Sequence, residues 1–158
     1  MEHGLGRVGP AELRPLTKPL SRAVPSRDGM ELENEAGLKR RNPPWPLVER
    51  VVRELDEGHG NSFAILSLPG NTYVQTIRGF NGWHLEWRIT GASLEDYVHY
   101  RAACLGGSAK EIELKKYDAM GDGQHRDLLG PDDVTDAFRA FYRGEEPPAW
   151  LEWRELQI

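Results

Sequence analysis

Five histidines, His3, His59, His84, His99 and His125, are the side chains best suited to acid–base or metal chemistry in this chain. Only His84 and His99 fall on stretches that read as strands of one sheet. With Glu86 they form a two-histidine, one-carboxylate set, the residue types of a mononuclear metal site or of a proton-transfer pair. The spacing does not support a metal: neither HxxxH nor HExxH occurs, and polar residues facing solvent look the same from sequence. Glu86 with Glu95, Asp96 or Glu113 could supply paired carboxylates, but a chain with 25 acids offers such pairs by chance. Cys104 is the sole cysteine, with no base at a telling position, so a catalytic thiol, an internal disulfide and a cysteine-built zinc site are not expected. Neither Gly58-His59-Gly60 nor Gly121-Asp122-Gly123 belongs to a phosphate-loop pattern. No catalytic residue, metal or cofactor is therefore expected.

The element that positions these groups is Asn71–Ile89, NTYVQTIRGFNGWHLEWRI. It reads as a β-hairpin turning at Gly79-Phe80-Asn81-Gly82, since Asn and Gly accept the positive φ that a tight turn demands. Its second run alternates: Trp83, Leu85, Trp87 and Ile89 on one face, His84, Glu86 and Arg88 on the other. Core burial of Trp83 and Trp87 is the simpler reading; the walls of a small-molecule pocket are the other. Asp96–Ala102 reads as a further strand placing Tyr97, His99 and Arg101 together; a helix begun at Ser93 is the alternative. Arg88 and Arg101 are expected to pair with Glu86 or Asp96 across strands.

Around these lie Ser62–Leu68, an apolar run suited to a central strand, and Glu111–Tyr117, an alternating stretch suited to an edge. Leu47, Val48, Val51, Val52 and Leu55 recur at helical spacing after Asn42-Pro43-Pro44-Trp45-Pro46 and stop at Gly58. Val134, Ala137, Phe138, Phe141 and Tyr142 do the same after Gly130-Pro131-Asp132-Asp133, ending at Gly144. Trp150–Leu156 closes the chain as a packed segment anchored by Trp150 or Trp153 and Leu156. The fold class is α+β: an antiparallel meander of about five strands flanked by an N-terminal and a C-terminal helix. Both helices can cover one face and leave the other to water or a partner.

Residues 1–41 hold four prolines, five glycines and no Phe, Trp or Tyr, so a poorly ordered tail is expected there, with a single α+β domain over residues 42–158. A helical turn near Met30–Leu38 is weakened by Gly29 and Gly37, and Lys39-Arg40-Arg41 reads as a solvated linker. The tail carries +2 and the remainder −7 of a net charge of −5. An acidic domain repels phosphate backbones, which argues against nucleic acid and suits a basic protein partner, although the charge also serves solubility alone. No run reaches 18 apolar residues and the first 30 residues lack a signal-peptide core, so no membrane partner and a cytoplasmic location are expected.

The stretch LLGPDDVTDAFRAFYRGEEPPAWLEWREL, Leu128–Leu156, resembles the end of immunity proteins from bacterial polymorphic toxin systems, the type paired with nucleic-acid deaminase toxins. It shares with them an acid-started helix carrying Phe138, Phe141 and Tyr142, the loop Pro147-Pro148, then Trp153, Glu155 and Leu156. SFAILSLPGNTYVQTIRGFNGWHLEWRI is similar to their central meander, so the likeness covers about residues 45–158. The resemblance implies an α+β inhibitor, not an enzyme, that occludes a cognate toxin domain in the producing cell. The outer face of the meander then supplies the contact: His84, Glu86, Arg88, Glu95, Asp96, Tyr97, His99, Arg101 and Glu113, the acids meeting a basic toxin surface. The competing expectation is a small-molecule or accessory enzyme domain with an aromatic pocket around His84, Glu86 and His99.

Overall fold

A computed structural model describes residues 28–79, 82–104 and 129–156. Among the described residues seven strands form one antiparallel sheet: β1 (Glu31–Asn34), β2 (Lys39–Arg41), β3 (Phe63–Leu68), β4 (Thr72–Arg78), β5 (Trp83–Thr90), β6 (Tyr97–Cys104) and β7 (Leu151–Glu155). Their order is β2-β1-β3-β4-β5-β6-β7, and every neighbouring pair is antiparallel. Two helices among the described residues, α1 (Trp45–Arg53) and α2 (Pro131–Arg143), pack against each other; α1 also meets β3, while α2 meets β4 and β5. The mixed α+β class and the central meander agree with the sequence reading. The described residues hold seven strands where about five are expected for the whole domain.

Three of the seven were not expected as strands: β7 lies in the closing segment read as merely packed, and β1 and β2 at the front come from residues assigned above to the tail. Leu32 on β1 is fully buried opposite Leu66, and Met30 joins the same core. The helical turn expected over Met30–Leu38 is a hairpin instead. Gly37 takes φ +104°, which only glycine adopts without strain, and the Asn34 side chain accepts a 2.9 Å bond from the Leu38 N–H across the turn. Lys39-Arg40-Arg41 is a charged edge strand; its length and charge discourage pairing with other chains. The expected poorly ordered tail therefore does not extend over residues 28–41.

The core lies between the helices and one sheet face. Alternation on β3 sends Ala64, Leu66 and Leu68 inward; on β4 Thr72, Val74 and Thr76; on β5 Trp83, Leu85 and Trp87. Trp87 stands edge-on to Phe141 (5.4 Å between centroids) and to Trp153 (5.8 Å). The Trp153 indole N–H donates to the Pro148 carbonyl at 2.8 Å, which satisfies its buried polar atom. Trp153 is thus the C-terminal anchor, while Trp150 is 53% exposed. Helix α2 opens with the Gly130 N–H donating to the Asp133 carboxylate at 3.1 Å and ends at Gly144, which takes the left-handed φ of +79°. Helix α1 stops at Arg53, short of Gly58, yet Leu55 beyond it is still buried.

Asp96–Ala102 lies almost wholly within strand β6; the helical alternative from Ser93 is not observed. Glu111–Tyr117 falls outside the described residues. Among the described residues no helix is long and apolar enough to cross a membrane.

Candidate functional site

The sheet face turned away from α1 and α2 carries the side chains singled out from sequence. Register places them in rows. One row crosses all seven strands as Lys39, Glu33, Ile65, Gln75, Glu86, Arg101 and Arg154. The next runs Arg41, Glu31, Ser67, Tyr73, Arg88 and His99. Opposite charges face one another at Lys39–Glu33, Arg41–Glu31 and Glu86–Arg101, as cross-strand pairing favours.

Glu86 is the centre of the first row. One carboxylate oxygen lies 2.9 Å from His99 Nε2 and accepts from Gln75 Nε2 at 3.0 Å; the other accepts from Arg101 at 2.9 Å. Burial pushes the Glu86 carboxyl upward, but the bonds from His99, Arg101 and Gln75 outweigh it and hold it at about 2. At neutral pH Glu86 is therefore an acceptor with no proton to give. Because an ionised carboxylate only accepts, His99 Nε2 is the donor in this bond. His99 is 5% exposed, with the ring edge of Tyr73 packed at 6.1 Å between centroids.

Arg88 departs from its expected role. Arg101, not Arg88, holds Glu86. The Arg88 guanidinium instead lies over the Tyr97 ring, 3.6 Å from its centroid, and its Nε donates to Thr90 Oγ1 at 3.3 Å. His84, expected on a solvated face, is on that face but buried, 5% exposed, beside Ile77 on β4. It is kept apart in the sheet from His99, which stands opposite Arg88. Among the described residues no group of three His, Cys, Asp or Glu is placed to hold a metal ion. Glu95 and Asp96 are exposed on the turn between β5 and β6, where the Gly91 N–H donates to the Asp96 carbonyl at 2.6 Å. Glu113 lies outside the described residues.

Two members of the cluster lie outside the nine residues expected to supply the contact, although Gln75 or Thr76 is expected beside them on that face. Gln75 and Tyr73 follow from β4 having the same two-residue period as β5, which sets Tyr73, Gln75 and Ile77 on the outer face and Thr76 in the core. Thr76 instead donates its hydroxyl to the His84 carbonyl at 2.6 Å.

Compared with protein-family models, with curated proteins and with solved structures, the chain has no significant match. What the site does must be argued from its own geometry.

Proposed function

We propose that this chain is an immunity-type binding protein that occludes a cognate toxin domain in the cytoplasm of the cell that makes it. The observation that carries this reading is the rigid polar row on the outer face. Gln75, Glu86, His99 and Arg101 are locked together by bonds of 2.9–3.0 Å, so the surface beside them is held in one shape before any partner arrives. Tyr73, Arg88 and Tyr97 stand next to that row, and Tyr and Arg are the residue types that anchor interfaces. The sequence resemblance supports the same reading. The partner we propose is a toxin domain with a largely basic surface, attracted by a chain of net charge −5.

The roles within this interface differ from those the bare sequence implies. Glu86 is engaged by three neighbours and organises the face, so Glu95 on the exposed turn is the better acid to meet a basic partner. The small-molecule reading requires Glu86 to work with both His84 and His99; the carboxylate is bound by His99, Arg101 and Gln75, while His84 stands opposite Ile77 on β4.

The test is protection. The toxin domain encoded beside this gene is expressed in a sensitive bacterial host with and without the full chain. Growth restored by the chain, with a stable complex on purification, is the expected result. Unrelieved killing, or the lack of any toxin gene in that neighbourhood, overturns the proposal.

A further inference from the structure

We infer that Arg88 is the seat for a carboxylate of the bound protein, so that the partner sets an acidic side chain within its otherwise basic contact surface. The inference rests on the reading of the outer face as a protein-binding surface and adds the chemistry that meets it.

The outer face has its charges arranged unequally. Arg101 is neutralised by Glu86 at 2.9 Å. Arg88, on the same face of the same strand as Glu86, has no carboxylate among the described residues within ion-pair reach; its contacts are the Tyr97 ring and Thr90 Oγ1. The hydrogen bond uses Nε, which leaves the paired terminal N–H donors of the guanidinium fork for a ligand. That fork matches a carboxylate in two parallel hydrogen bonds. The contact with the Tyr97 ring at 3.6 Å and the Nε bond to Thr90 hold the guanidinium in place, so less side-chain freedom remains to be lost on binding.

The surroundings favour a protein ligand over a free small anion. Tyr73 stands directly opposite Arg88 on β4, and the turn leading from β5 to β6 carries Leu94, 64% exposed. An arginine flanked by tyrosines is the composition of an interface centre. A free phosphate would find one arginine and no second cation across the strands: the neighbours of Arg88 are Tyr73 and His99, and His99 Nε2 is committed to Glu86.

The experiment has two arms on the full chain. In the first, ¹⁵N-labelled protein is titrated at low salt with a ten-residue glutamate peptide, with a ten-residue lysine peptide, and with inorganic phosphate. The glutamate peptide is expected to shift the Arg88 Nε–H signal together with the Thr90 and Tyr97 amides, despite the negative charge of the chain. Arg88→Gln is expected to weaken this at least tenfold while the rest of the spectrum stays native. Shifts that persist in Arg88→Gln, or that phosphate reproduces at the same concentration, overturn the inference. In the second arm the neighbouring toxin domain is bound by wild-type chain, Arg88→Lys and Arg88→Glu. Loss of at least tenfold in affinity for Lys and a hundredfold for Glu is expected, with partial recovery when one toxin acid is changed to arginine. Wild-type binding with Arg88→Glu within twofold of it also sinks the inference. A wild-type chain that ignores the toxin removes the immunity reading and leaves the carboxylate seat to be decided by the first arm.

Discussion

His99 and Glu86 are held side chain to side chain across β6 and β5, with Nε2 2.9 Å from the carboxylate, although His99 stands opposite Arg88 in the register. The imidazole leans along the strand to reach Glu86, and Arg88 swings the other way onto Tyr97, the outer-face neighbour of His99. Arg101, which stands opposite Glu86 in the register, remains its ion-pair partner at 2.9 Å.

Acid should expose this arrangement. Glu86 has an ordinary value of 4.5 and is held at about 2 in the fold. A depressed carboxyl contributes stability that is fully present above 4.5 and is lost as pH falls towards 2. Urea unfolding between pH 5 and pH 2 should therefore show a falling stability in the native chain and a flatter one in Glu86→Gln. At neutral pH the same substitution should cost about 1–3 kcal/mol, the usual penalty for leaving buried donors with a poorer acceptor. Equal acid slopes in the two proteins would remove Glu86 from this role.

Leu32 tests where the folded unit begins. It is fully buried, on a strand formed by residues whose local composition reads as a tail. Leu32→Ala should cost about 2–5 kcal/mol, as for other buried leucines, and lower the melting temperature accordingly. A change within about 0.5 kcal/mol, the range of surface substitutions, would mean that β1 adds nothing to the core.

Trp87 and Trp153 separate packing from hydrogen bonding. Trp87→Ala removes a ring set edge-on to both Phe141 and Trp153 and should cost about 3–5 kcal/mol. Trp153→Phe keeps much of the ring but strands the Pro148 carbonyl, which now accepts at 2.8 Å, and should cost about 1–3 kcal/mol. Thermal unfolding followed by tryptophan fluorescence and circular dichroism measures both.

The sequence was most legible where period and burial coincide. Alternation over Trp83–Ile89 placed both tryptophans in the core, and helical spacing over Val134–Phe141 placed the buried stripe of α2. It was least legible where a strand is stabilised by its neighbours alone: β1 has one buried residue, Leu32, and pairs β2 on one side and β3 on the other. Local propensity is weak evidence for such a strand. For the site, face assignment was readable from the two-residue period, but partner choice was not. Whether Glu86 takes Arg88 or Arg101 depends on a register that the chain reveals only once β5 and β6 are aligned. The burial of His84 had no signal in its own strand, where it alternates with half-buried Glu86 and Arg88.

Charge and anchor should separate kinetically when the proposed partner is in hand. Glu95 sits exposed on the β5–β6 turn and makes no ion pair among the described residues, so its effect on a basic toxin is long-range attraction. Glu95→Lys should slow association several-fold at low salt and lose that effect near 0.5 M salt, where charges more than a few ångströms apart are screened. Arg88→Ala removes a short-range contact together with the Tyr97 stack, so it should act on dissociation and persist in salt. Surface plasmon resonance at two salt concentrations distinguishes them. If Glu95→Lys speeds dissociation and leaves association alone, the turn is a contact and not a steering group, and the attraction between an acidic chain and a basic toxin must come from elsewhere on the sheet.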